Sequence, residues 1–208
     1  AHLAKAGFVA VPNWPAIFFH DALELMLCVY VDDFKLSGPV KNLPKGWALL
    51  REGIEMDDPQ PLGKFLGCNH QSGERTLEGG HKVRTMSYDM RDFMRSCVSK
   101  YTEIAESQIP NFKLRHVDTP FLPAVYVPGG NAQDVHTLPE DEDESKGVLG
   151  DQAASVLMKV LYGARSARWD LLKVVAMLAQ RVSKWSKSCD KALHRLMCYI
   201  DSTIDLVL

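Results

Sequence analysis

The stretch Leu25 to Gly38, LMLCVYVDDFKLSG, leaves this chain few choices. Leu25 through Val31 are all apolar and rich in strand formers, Asp32-Asp33 interrupts them, and Phe34-Lys35-Leu36-Ser37 resumes strand character before Gly38-Pro39. A return this quick is a β-hairpin, with turn chemistry in Asp32-Asp33 and both acids at its tip. Adjacent carboxylates on a tight turn repel each other. A divalent cation that prefers hard oxygen ligands, Mg²⁺ or Mn²⁺, offsets that repulsion. In the plainer reading Asp32-Asp33 only makes the turn.

The rest of the chain is read outward from this hairpin. Gly7, Pro12, Asn13 and Pro15 predict an irregular or strand-like entry, and 16–20 a short strand, so that three antiparallel strands carry Asp32-Asp33 at one end. Trp47, Leu50, Arg51 and Ile54 predict a helix over 44–56. Met56 through Pro61 breaks it, with Asp57-Asp58 as a solvated turn, and 64–85 reads as a small antiparallel meander whose first strand is 64–71. Met90, Phe93, Met94, Cys97, Tyr101 and Ile104 have the spacing of an amphipathic helix, N-capped by Ser87, with Asp89 in its first turn and Pro110 beyond its end. Its outward Arg91, Arg95 and Lys100 either rest on a phosphate backbone or are merely solvated. Three apolar stripes after residue 150, broken at Gly163 and at 185–188, predict a helical hairpin or bundle. The fold class expected is therefore α+β: an antiparallel sheet with a long helix, followed by a small all-α segment.

Between these parts, 123–150 holds Pro128-Gly129-Gly130 and the run Glu140-Asp141-Glu142-Asp143-Glu144. Such a segment is expected to be a mobile acidic linker, giving three parts, 1–122, 123–150 and 151–208. Charge divides the same way. Residues 151–208 carry nine Lys/Arg against five acids, whereas 1–150 are net acidic, so phosphate contact is expected of the later part. Arg181, Lys184, Lys187, Lys191 and Arg195 around Trp185 either grip a nucleic-acid backbone or form a solvated helix face. No apolar run is long enough to suggest a membrane span. Five scattered cysteines without C-x-x-C favour a reduced intracellular setting, and the start at Ala1 suggests a fragment. Neither Cys68, His70 and His81 nor Cys189, His194 and Cys198 has the spacing of a zinc site.

The tetrad Tyr30-Val31-Asp32-Asp33 resembles the catalytic hairpin of reverse transcriptases. Phe65-Leu66-Gly67, Val117-Asp118-Thr119-Pro120 and the tail His194-Arg195-Leu196-Met197-Cys198-Tyr199-Ile200 follow in the order of copia-type retrotransposon polyproteins. The resemblance implies a palm-type sheet, a thumb-like helix and a helical connection before ribonuclease H. It implies RNA-directed DNA polymerisation with Mg²⁺ or Mn²⁺ on Asp32 and Asp33, and Tyr30 and Val31 beside primer and template. Phe65, Leu66 and Gly67 would fall near the element that holds the primer end, although Gly67 reads equally as a bulge-marking strand glycine. The implied partners are an RNA or DNA primer-template, deoxynucleotides and the other polyprotein domains (fingers, ribonuclease H, integrase), with no membrane, in cytoplasm or nucleus. The family's further palm carboxylate and its fingers have no match before Leu25, and Asp21 belongs to the hairpin's opposite end. A non-catalytic nucleic-acid-binding scaffold and a metal-dependent nuclease are the other functions these residues allow. Limited proteolysis is expected to cut first within 123–150, and protection of that segment would contradict the expected linker.

Overall fold

The computed structural model, which describes residues 2–121 and 145–208, divides the chain into two units, Ala1–Leu66 and Gly67–Leu208. The class is α+β, with antiparallel sheets and several helices.

In the first unit the two-residue period of a strand decides which side of the sheet is buried. Four antiparallel strands lie in sequence order: β1 (Val9–Val11), β2 (Trp14–His20), β3 (Leu25–Tyr30) and β4 (Asp33–Ser37). Leu25 and Leu27 are fully buried, and Phe18, Val29, Phe34 and Leu36 pack with them. The helices α1 (His2–Lys5) and α2 (Leu43–Arg51) close this side, α2 through buried Leu50 and half-buried Trp47. A Cβ at Gly46 would collide with the Leu25 side chain, so the glycine lets α2 approach β3. The other side stays open, and Phe19, Met26 and Tyr30 are exposed there. The fourth strand, β1, decides between the irregular and the strand-like entry that the first 15 residues allow. Asn13 at φ 64 makes a tight turn that pairs β1 with β2.

The expected strand 64–71 is interrupted. β5 (Lys64–Phe65) ends at Leu66 and Gly67, whose φ values of 50 and 77 have the signs of a two-residue turn. β6 (Cys68–Thr76) and β7 (Lys82–Asp89) then form a hairpin in register from Asn69↔Asp89 to Thr76↔Lys82. Ser87 lies within β7 and is not the cap of the helix that follows, α3 (Arg91–Gln108). The N-cap position is Met90, with no side-chain cap bond, and Asp89 ends β7 and is not in the first turn of the helix; its Oδ1 accepts from the Arg91 backbone N–H at 2.9 Å while Arg91 Nη2 donates to Oδ2 at 2.7 Å. The Arg91 hydrogen bonds hold the Asp89 carboxyl below its ordinary range.

The helices α4 (Gly150–Ser166), α5 (Leu172–Ala179) and α6 (Lys187–Ser202) share one core with α3. Tyr101, Leu157, Leu171, Leu178, Leu193 and Leu196 are fully buried in it. This is why the units part at Leu66/Gly67 and not at the acidic segment: the apolar face of α3 is covered by helices from the far side of that segment. Most of the linker expected over 123–150 lies outside the described residues. Its last residues are packed: Leu149 is buried, and Asp190 accepts from the N–H groups of Val148 and Leu149 and from Trp185 Nε1. Gly163 does not break its helix as expected. It sits inside α4, where a Cβ would run into Met94 Sδ, and close packing replaces the break.

Two outcomes follow from this core. Leu157→Ala should lower the unfolding free energy by about 2–5 kcal/mol, read from urea unfolding. His194 has Tyr101 Oη 3.1 Å from Nδ1, Cys198 Sγ 3.5 Å from Nε2 and the Phe112 ring against it; burial, and secondarily Arg115, push its pKa below the ordinary 6.5. The neutral ring is the form that fits. Its contribution is complete above about pH 6.5 and is lost as the pH falls from there through the lowered folded pKa. His194→Gln should flatten the fall in urea midpoint between about pH 7 and 5, and an unchanged slope would contradict this.

Candidate functional site

The hairpin tip follows from the pairing of β3 with β4. Tyr30 stands opposite Asp33, so the two-residue turn is Val31-Asp32, one position earlier than turn chemistry alone places it, and Asp33 is the first residue of β4. Val31 lies at φ 52 and is 78% exposed. A β-branched residue in the left-handed region costs on the order of 1–3 kcal/mol, and the exposed Val31 side chain gains no burial of its own to offset it.

Asp32 and Asp33 are both exposed, and neither side chain forms a hydrogen bond or ion pair among the described residues. The pairs Met26↔Ser37, Cys28↔Lys35 and Tyr30↔Asp33 fall on the open side of the sheet, because Leu27↔Leu36 and Val29↔Phe34 occupy the buried side. Lys35 Nζ lies 5.5 Å from the centroid of the Phe65 ring. Phe65 is thereby held beside the strand that begins with Asp33. Lys35 was not singled out from sequence, although its place two residues after Asp33 on a strand puts both on one face. Leu66 and Gly67 follow Phe65 in the turn conformation given above. A Cβ on Gly67 would meet Tyr162 Cε1 at 4.0 Å, an ordinary contact, so the positive φ and not crowding explains the glycine. Asp21 begins the turn joining His20 to Leu25, five residues of β3 from the tip or roughly 17 Å.

No group of three or more His, Cys, Asp or Glu side chains able to share a metal ion occurs among the described residues. Two adjacent carboxylates do suit Mg²⁺, which commonly takes one or two protein carboxylates and fills the remaining positions with water and substrate phosphate. The donor set fits a metal held jointly with a nucleotide better than a metal held by protein alone.

The cations expected on a nucleic-acid backbone divide by what they already hold. Arg91 is committed to Asp89, and Arg95 contacts Asp92 at 3.0 Å and Asp205 at 3.8 Å. Arg195 donates from Nε to the Thr119 carbonyl at 2.9 Å and from Nη2 to Thr119 Oγ1 at 3.0 Å. These three anchor structure. Lys187, Lys191 and Arg195 recur every four residues along α6, and Lys184 and Lys191 are exposed, while Arg181 is half-buried.

No protein-family model, curated protein or solved structure matches the chain. No helix among the described residues is long and apolar enough to cross a membrane.

Relief of the turn gives a direct check on its strain. Val31→Asn should raise the unfolding free energy by about 1 kcal/mol, because Asn enters the left-handed region more readily. A lower urea midpoint would contradict the strain.

Proposed function

We propose that this chain is part of a copia-type reverse transcriptase, the later half of an RNA-directed DNA polymerase with its helical connection. The observation that carries the reading is a β-hairpin whose strained turn presents two exposed acids that form no ion pair among the described residues. Strain and unpaired charge both cost stability, and both are accounted for when the tip receives a ligand. Asp32 would ligate Mg²⁺ or Mn²⁺ directly, with Asp33 in support. When bound, two such ions supply Lewis acidity toward a primer hydroxyl and charge neutralisation for a departing pyrophosphate. On the protein's side, Tyr30 stands opposite Asp33 and offers a ring beside a primer terminus, and Val31 projects at the turn toward the template. Phe65, clasped by Lys35, lies beside the same strand, so the start of the primer-holding element would be tied to the acids by that contact.

The palm-type character of the sheet and the thumb role of α3 belong to this proposal. Arg91 and Arg95 are occupied by carboxylates, which leaves the exposed Lys184 and Lys191 as the better candidates for phosphate contact. Mn²⁺ titration followed by electron paramagnetic resonance tests the reading. Asp32→Asn should weaken binding at least about tenfold, as loss of a charged ligand to a divalent ion requires. Equal binding by the two proteins would favour a scaffold in which the pair only makes a turn. Degradation of a labelled duplex without added nucleotide would favour a nuclease.

The same chemistry predicts no detectable primer extension by this chain alone. In-line attack depends on an oriented nucleotide, which contributes on the order of 7–11 kcal/mol in well-positioned reactions, and two tip carboxylates are a sparse set for two ions. Elongation that disappears in Asp32→Asn would show the expectation wrong and the chain a complete catalyst.

A further inference from the structure

An exposed stripe of α4 carries a second constellation. Ser155, Met158, Tyr162 and Arg165 are exposed and recur at three- and four-residue spacing, so they share one face, and Trp169 follows directly after the helix. Tyr162 is 42% exposed and Trp169 59%. Each of these rings carries a large apolar area, and this unit has a core able to take such rings, as it does Tyr101 and Trp185.

Both rings are fixed in place. Trp169 Nε1 donates to the Arg165 carbonyl at 3.3 Å, so the polar edge of the indole is satisfied within its own turn of chain and only its faces remain to be used. Tyr162 packs against Phe93 with ring centroids 5.2 Å apart, and Lys159 Nζ, 5.9 Å from the Phe93 centroid, braces that ring while donating to the Ser96 carbonyl. The charges nearby are distributed unevenly. Arg168 is buried and committed to Asp170 and to Thr203, which leaves Asp170 neutralised. Arg165, between the two exposed rings in sequence, forms no ion pair among the described residues.

We propose that Tyr162, Arg165 and Trp169 form a stacking platform for unpaired nucleotides, the rings receiving base faces and Arg165 the backbone phosphate. This inference rests on the nucleic-acid reading above but uses no residue of the hairpin tip. Single-stranded nucleic acid is the occupant these features fit. Its bases have free π-faces, its backbone is anionic, and the surface that meets it combines pre-ordered rings with an unpaired cation. A duplex buries its base faces and has no use for the rings. A protein partner could also use Met158, Tyr162 and Trp169 as apolar area, and it is the alternative that failure of single-strand binding would favour.

The test is fluorescence anisotropy at low salt with two probes, labelled oligothymidylate and a labelled blunt duplex, on the wild-type chain, Trp169→Ala, Trp169→Phe, Arg165→Gln and Asp32→Asn. Trp169→Ala should weaken binding to the single strand by about 5- to 100-fold while duplex binding stays within about twofold. Trp169→Phe should retain most of the single-strand affinity, and Arg165→Gln should reduce its dependence on salt. Since Trp169 is largely exposed, circular dichroism should show these variants folded. Single-strand binding that survives Trp169→Ala, or an equal loss on both probes, overturns the platform, as does a wild-type chain that binds no single strand. Asp32→Asn separates this result from the polymerase reading. A platform that responds to Trp169 while Mn²⁺ binding ignores Asp32 leaves the platform standing and removes the polymerase.

Discussion

Burial of Leu25 and Leu27 beneath α2 sets the register from which the tip geometry follows. Side chains on a strand alternate, so a one-residue slip of β3 would carry Met26, Cys28 and Tyr30 inward and turn both leucines to water. Each buried leucine is worth about 1.5–3 kcal/mol over exposure, enough to make a slipped hairpin rare. With β3 so held, the pairing Tyr30↔Asp33 and the two-residue turn Val31-Asp32 follow, and the strain at Val31 is carried by packing several residues away. A sheet covered on one side only also leaves Phe19, Met26 and Tyr30 on an open face that continues to Asp33 and Lys35.

The helical core treats charge differently from the hairpin tip. At the hairpin tip two acids stand exposed and unmatched; around the helical core, carboxylates and cations are used in pairs and as backbone anchors. Asp89 begins α3, Asp190 clasps the segment before α4, Arg168 joins the start of the Trp169 turn to the end of α6, and Arg195 holds Thr119. Each of these groups satisfies backbone donors or acceptors that the irregular connections leave over, and a cation so engaged is a weak candidate for phosphate. The exposed exceptions, Arg165 beside Trp169 and Lys191 on α6, form no ion pair among the described residues.

The hairpin, the amphipathic α3 and the helical tail were legible in the sequence because each rests on short-range periodicity: apolar runs ending in turn residues, or apolar positions every three to four residues. The acids at the tip were legible for the same reason. Local pattern also carried the resemblance to copia-type polymerases through Tyr30-Val31-Asp32-Asp33. It failed wherever a local signal had a tertiary answer. Gly163 reads as a helix breaker by propensity, yet the contact with Met94 makes it an approach point. Ser87 reads as a cap, yet it is held in β7 and the helix starts after Met90, with Asp89 and Arg91 paired at its entry. The acidic segment reads as a domain boundary, yet α3 shares its core with the helices beyond it.

What the sequence determined by itself was therefore the inventory: a hairpin carrying two acids, a long amphipathic helix, a basic helical tail and their order. What only the tertiary structure decided was which groups are spent and which remain available. Arg91, Arg95 and Arg195 look alike in a string with Lys191 and Arg165, and their difference appears only when Asp89, Asp92 and Thr119 are found beside them. Exposure was decided in the same way. The rings of Tyr162 and Trp169 carry no mark in the sequence that distinguishes them from buried Tyr101 or Trp185, because burial depends on which helix faces meet and a single chain segment does not contain that information.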